Sequence, residues 1–116
     1  MDIDRAWAAG FWDGEGYAGF AGKKQPSLRA QIQQSEKSIL ERFQTIVGCG
    51  RLHGPYTRKS QRPHWQLSFS SVASVRQLFD VLSPYLYVTK KSQLEAAIAA
   101  YDQYKEGLLA RRRGQL

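Results

Sequence analysis

Near its start the chain carries two carboxylates, Asp13 and Glu15, at the end of the run Ala8-Ala9-Gly10-Phe11-Trp12-Asp13-Gly14-Glu15-Gly16. The run has the spacing of a helix that is running out. Trp7 and Phe11 recur four residues apart, as on one apolar face; Asp2 or Asp4 offers a side-chain oxygen to the first-turn amides; Gly14 and Gly16 end it. A carboxylate at a helix C-terminus feels the negative end of the helix dipole, so a bare charge there calls for a compensating cation. The same pattern also fits an amphipathic helix with a glycine C-cap and solvated acids. Gly10 and Gly14 leave one face without side chains, where a second helix could approach closer than ordinary side chains permit.

A second set of side chains has the chemistry of base recognition. Ser27 to Gln34 alternates, with Leu28, Ala30 and Ile32 on one face and Arg29, Gln31 and Gln33 on the other. Pro63 to Phe69 does the same: Trp65, Leu67 and Phe69 point inward, His64, Gln66 and Ser68 outward, and Arg51 and His53 flank Leu52 in the strand before it. Arg donates a fork to guanine O6 and N7, and Gln pairs with adenine N6 and N7. Lys23 and Lys24 at one turn, and Arg58, Lys59 and Arg62 in the tip Arg58-Lys59-Ser60-Gln61-Arg62, are placed to hold phosphates. A merely solvated sheet face is the alternative; the lack of Asp and Glu on this face favours DNA. The two histidines lack metal-ligand spacing and read as groove contacts rather than general bases.

These residues need a framework of short strands and amphipathic helices. Tyr17 to Ala21 is a strand, followed by the breaker-rich turn Gly22-Lys23-Lys24-Gln25-Pro26 and the strand Ser27 to Gln34. Ser35 opens a helix in which Ile39, Leu40, Phe43, Ile46 and Val47 recur at helical spacing, and Gly48-Cys49-Gly50 closes it. Arg51 to Tyr56, interrupted by a Gly54-Pro55 break, and Pro63 to Phe69 form a second hairpin. Ser71 caps a helix carried by Val72, Val75, Leu78, Phe79 and Leu82, which Pro84 stops. A last helix runs from about Lys91 through Leu94, Ala97, Ile98 and Tyr101 towards Leu108 and Leu109, before a basic tail at 111–116. The order is α-β-β-α-β-β-α-α, with the signature run occurring once.

At 116 residues the chain suits one domain with a modest core, here residues 1–110. Its 17 basic and 10 acidic residues give a formal charge of +7 and a pI near 9.8, which points to a polyanionic partner. The charge is uneven. Residues 1–16 carry one basic and four acidic residues (−3), residues 17–69 nine and two (+7), and residues 70–116 seven and four (+3). No long apolar run or charged-then-apolar leader is present, so a membrane partner is not expected. Cys49 is the one cysteine, which excludes an internal disulfide and a cysteine zinc site and fits a reducing compartment; it reads as a small packing residue.

The run at 8–16 resembles the signature helix of the LAGLIDADG homing endonucleases, with Ala8 at the first Leu, Gly10 at the first Gly, Asp13 and Glu15 at the two acids and Gly16 at the last Gly. Ala8 replaces a larger apolar residue, and Glu15 replaces the commoner Asp while keeping a magnesium-ligating carboxylate. Gln34 followed by Ile39-Leu40 and Gly48-Cys49-Gly50 resembles the family's second block, and Pro84 through Lys90-Lys91-Ser92-Gln93 its late block. The resemblance implies an α+β fold of αββαββα order, a curved antiparallel sheet with helices on one face.

It also implies a function. Two signature helices pack at a dimer axis, here through Trp7, Gly10, Phe11 and Gly14, so a chain with one motif is expected to act as a homodimer on a long, near-palindromic double-stranded DNA site. Glu15 and a backbone carbonyl near Gly14 would bind magnesium, with manganese as a substitute; Asp13 would be mainly structural. Gln34 would position water, and Lys90, or its neighbour Lys91, would stabilise the charge on the phosphorane-like centre. The expected activity is sequence-specific, metal-dependent phosphodiester hydrolysis inside the cell, with no small-molecule substrate and no secretion. A non-cleaving repressor or an intron RNA maturase on the same scaffold is the alternative. A generic RNA-binding domain would need stacking aromatics on the polar face, where only Tyr17 and Tyr56 are candidates.

Overall fold

The first helix, α1 (Ile3–Glu15), is capped by Asp2, whose side chain accepts the Arg5 amide at 3.1 Å. Of the two expected caps, Asp2 serves; Asp4 lies in the first turn and pairs with Arg42 at 3.5 Å. The helix continues through Gly14 and closes only at Gly16, whose amide donates to the Trp12 carbonyl at 2.8 Å, so Gly14 is an interior residue rather than a terminator. These coordinates come from a computed structural model that describes residues 2–59 and 62–114. Ser60 and Gln61 of the expected basic tip, Gln115 and Leu116 of the expected tail, and Met1 lie outside the described residues.

Two hairpins follow, β1 (Tyr17–Ala21) with β2 (Ser27–Gln34), and β3 (Arg51–Tyr56) with β4 (His64–Phe69); α2 (Lys37–Val47) joins them, and α3 (Val72–Leu82) and α4 (Val88–Arg112) complete the chain. The fold is α+β, a single antiparallel sheet of order β1-β2-β4-β3 with the helices on one face. Period-two alternation decides that sidedness. Leu28, Ala30 and Ile32 of β2 and Leu67 and Phe69 of β4 are buried beneath Leu40, Phe43, Val75, Leu78 and Leu94 of the helices. Trp12 is wholly buried at the centre, stacked on Phe43 (ring centroids 6.1 Å apart) and edge-on to Phe69 (6.3 Å).

Several boundaries differ from the sequence reading, each for a local reason. Ser35 does not cap α2, because its hydroxyl and amide both turn to the Gln34 side chain; Glu36 holds the cap position without a side-chain bond. The Gly54-Pro55 pair does not break β3 but is absorbed as a register irregularity between His53 and Tyr56. β4 starts at His64 rather than Pro63, consistent with proline's lack of a ladder donor. Ser71 caps α3 as expected, in a reciprocal pair with Ser74. The last helix begins at Val88, three residues before Lys91, and continues through Arg112, so Arg111 and Arg112 are helical. Cys49 is partly buried, with its thiol directed at the Ser74 carbonyl (3.7 Å), and burial pushes the thiol pKa up.

Candidate nucleic-acid interface and acidic centre

The strand register brings the expected base-reading residues onto one uncovered face. Tyr17 of β1 pairs with Gln31, Gln31 with Ser68, and Ser68 with Arg51, which makes one row across all four strands. Gln33, Gln66 and His53 form the next row, and Arg29 stands opposite Gly19. Shallow hollows along this face are lined by Arg29, Gln31, Arg51, His53, Gln66 and Ser68 in the middle. The face is organised by its own amides: Gln33 Nε2 donates to Gln66 Oε1 (3.0 Å), and Gln66 Nε2 to Gln31 Oε1 (3.3 Å). The Arg29 guanidinium reaches Ser27 Oγ at 3.4 Å, and His64 lies against the Tyr56 ring. Arg29, Gln33 and Arg51 are exposed.

The two basic turns stand at opposite ends of this sheet. Lys23 and Lys24 follow the Ala21–Ser27 pair, whereas Arg58, Lys59 and Arg62 follow the Tyr56–His64 pair, beside the Gln34 end of β2. The antiparallel register, invisible in the linear charge pattern, separates them. Tyr17, one of the two aromatics the sequence offered for this face, lies on it and is 49% exposed.

At the α1–β1 junction the two acids have different surroundings. Asp13 accepts the Tyr87 amide through both oxygens, at 3.3 and 3.2 Å, and so ties the start of α4 to the end of α1. Glu15 is exposed and makes no hydrogen bond or ion pair among the described residues. Lys90 Nζ donates to the Gly16 carbonyl, one residue beyond Glu15. Lys91, half-buried, makes no such bond among the described residues. Gln34 stands at the same end of the sheet, with its Oε1 accepting from the Ser35 amide (2.8 Å) and hydroxyl (3.2 Å). No cluster of three or more metal-ligating side chains occurs among the described residues.

The outward side of α1 is open. A β-carbon added at Gly10 or Gly14 would meet nothing within 4 Å. Ile3 on the same helix is 76% exposed, and Tyr87 and Val88, which Asp13 holds at the α1 end, are 78% and 75% exposed. Trp7 carries the Arg42 guanidinium 3.9 Å above its ring and stacks on Phe11. Phe11 packs edge-on against Phe43 within the chain. No helix among the described residues is long and apolar enough to cross a membrane.

No protein-family model and no curated protein matches the sequence. Solved structures share its architecture. The homing endonuclease I-CvuI in complex with the I-CreI target is 23% identical, with a TM-score of 0.67 over 84% of this chain and 64% of that one. The LAGLIDADG meganuclease I-AabMI bound to uncleaved DNA is 23% identical, with a TM-score of 0.73 over 90% of this chain and 38% of that one. The homing endonuclease I-TnaI is 21% identical, with a TM-score of 0.60 over 98% of this chain and 77% of that one. The chain thus spans less than two thirds of the length of I-CvuI and I-AabMI, and complexes of I-CvuI were solved in the presence of Mg and of Ca. The four-stranded antiparallel sheet and the four α-helices among the described residues have the LAGLIDADG homing-endonuclease fold.

Proposed function

We propose that this chain belongs to the LAGLIDADG homing endonucleases and acts as a homodimer that binds a long, near-palindromic double-stranded DNA site and hydrolyses a phosphodiester on each strand. The observation that carries the reading is Glu15: exposed, unpaired among the described residues, next to the carbonyl that Lys90 holds, and at the head of a sheet face that presents Arg and Gln but no Asp or Glu. The open Gly10–Gly14 strip, with the exposed Ile3, Tyr87 and Val88 nearby, supports pairing of two α1 helices, which would bring two such acids together.

The donor chemistry fits a divalent oxygen-loving cation. Magnesium takes few protein ligands because it keeps waters and binds phosphate oxygens itself, so one carboxylate per chain with a Gly14 carbonyl suffices, and manganese is a fitting substitute. When bound, the ion activates water and neutralises the leaving oxygen. The rest of the work is the chain's own. Lys90, fixed by the Gly16 carbonyl, holds a positive charge beside Glu15 where a scissile phosphate would lie. Gln34 offers its amide nitrogen to orient water, its oxygen being engaged by Ser35. The sheet's amide and guanidinium groups read base edges, and the lysines and arginines of the turns hold phosphates. Acting on DNA, the protein would work inside the cell.

The test is cleavage of a randomised-site duplex library with magnesium by the wild type and by Glu15→Gln. Cutting by the wild type alone supports the reading. Equal cutting by both, or binding without cutting by either, removes the catalytic claim and leaves a DNA-binding protein.

A further inference from the structure

The end of the sheet away from Glu15 gathers positive charge that the strands alone do not supply. Lys23 and Lys24 occupy the β1–β2 turn there, both exposed. The last helix arrives at the same end. It runs beside β1 in the same sense: Lys90 bonds the Gly16 carbonyl, Gln93 Oε1 accepts the Ala18 amide at 3.1 Å, and Tyr101 and Tyr104 meet the Phe20 ring at 6.2 and 5.6 Å. After Phe20, β1 has only Ala21 before the chain turns back at Gly22, whereas α4 continues from Tyr104 to Arg112. At 1.5 Å per residue that is about 12 Å of helix. Its last turns therefore overhang the sheet, with Arg111 and Arg112 exposed at the tip. Past Asp102 the helix has one acid, Glu106, against Lys105, Arg111 and Arg112.

We propose that Arg111 and Arg112, together with Lys23 and Lys24, form a phosphate clamp that grips duplex DNA outside the stretch covered by the strands. The inference rests on the DNA-binding reading above and adds a second contact region to it. Less the one strand residue after Phe20, the overhang is about 9 Å, roughly two to three phosphates of one strand at 3.4 Å spacing. The clamp carries no sequence information; it lengthens the footprint and sets its salt dependence. Arginines in a last helical turn also complement the helix dipole, a role that needs no DNA and shows only as stability.

The experiment measures affinity against salt for a fixed mixed-sequence duplex of about 40 base pairs, long enough to cover strands and overhang together. The proteins are the wild type, Lys23→Gln/Lys24→Gln, Arg111→Gln/Arg112→Gln, the fourfold variant, and Arg111→Lys/Arg112→Lys; Arg76→Gln, on α3, controls for net charge. The clamp predicts that each Gln pair lowers the log–log salt slope by about 2 per protomer, roughly 4 for the bound dimer, that the two losses add, and that the Lys pair restores the slope. Arg76→Gln changes the slope little. An Arg111→Gln/Arg112→Gln protein with an unchanged slope and a lower melting temperature overturns the clamp in favour of a dipole role, as does a per-charge slope loss no larger than that of Arg76→Gln. A wild type that binds no duplex at low salt overturns the DNA reading, and the clamp with it.

Discussion

Asp13 of α1 and Tyr87 at the start of α4, 74 positions apart in the chain, are joined by hydrogen bonds from the Tyr87 amide to both Asp13 oxygens. A carboxylate at the end of one helix is thereby placed against the positive end of another, which offsets the unfavourable dipole of its own. The two acids of the signature run thus divide: one ties the scaffold together, and the other is exposed and makes no bond among the described residues.

That division predicts opposite phenotypes. Asp13→Asn exchanges a charge-assisted acceptor for a neutral one and should cost about 1–2 kcal/mol of stability in chemical denaturation. Glu15→Gln removes a negative charge from a helix C-terminus and should leave stability unchanged or raise it by a few tenths of a kcal/mol. If the Glu15 variant unfolded as readily as the Asp13 variant, Glu15 would be structural and its catalytic assignment lost.

The glycines of the same run also separate by sign. A β-carbon at Gly16 would fall inside the Trp12 indole, and Trp12 is wholly enclosed, so Gly16→Ala should destabilise the chain by about 1–3 kcal/mol through overpacking. Gly10 and Gly14 are interior helical positions facing open space, where alanine adds helix propensity. Gly10→Ala/Gly14→Ala should therefore raise the stability of the isolated chain, by up to about 1 kcal/mol per site, yet weaken self-association. Sedimentation of dilute protein reads the second effect. Undiminished association would show that the strip is not where two copies meet.

On the sheet face, Gln66 bridges Gln31 and Gln33, so its loss disturbs the orientation of both remaining amides. Gln66→Ala should relax base preference by about 1–3 kcal/mol at a narrow position, mirrored in both half-sites, with the salt slope retained. Arg58→Gln, at a turn, should weaken all duplexes evenly and lower the slope by about 1 per protomer, roughly 2 for the dimer. Selection from a randomised library, followed by salt titration of the winners, distinguishes the two patterns. A uniform loss with Gln66→Ala would reduce this residue to a scaffold role.

Much of this arrangement was legible in sequence because it depends on local periods. Leu28, Ala30 and Ile32 against Arg29, Gln31 and Gln33 fix which side of β2 is buried, and Val75, Leu78 and Leu82 fix the inner side of α3. What escaped depends on partners distant in the chain. The Asp13–Tyr87 bonds, the Gly16–Trp12 contact and the opposite placement of the basic turns arise only when the strands have registered as β1-β2-β4-β3. The early start of α4 escaped because Tyr87 at its cap makes no side-chain capping bond, leaving no polar signal to mark the boundary.

That early start gives two adjacent lysines different surroundings. With α4 already helical from Val88, Lys90 and Lys91 diverge by the helical angle, and Lys90 is the one whose ammonium group meets the Gly16 carbonyl beside Glu15. Lys90→Ala should lower the cleavage rate about 100- to 1000-fold, the scale expected for removing one preorganised donor from a charged transition state. DNA affinity measured without divalent ions should change little, since a single phosphate contact is lost among many. Lys91→Ala should leave the rate within a few-fold of the wild type, and Lys90→Arg should recover part of it. Equal losses in the two alanine variants would mean that their charge, rather than the position fixed by Gly16, is what the reaction uses.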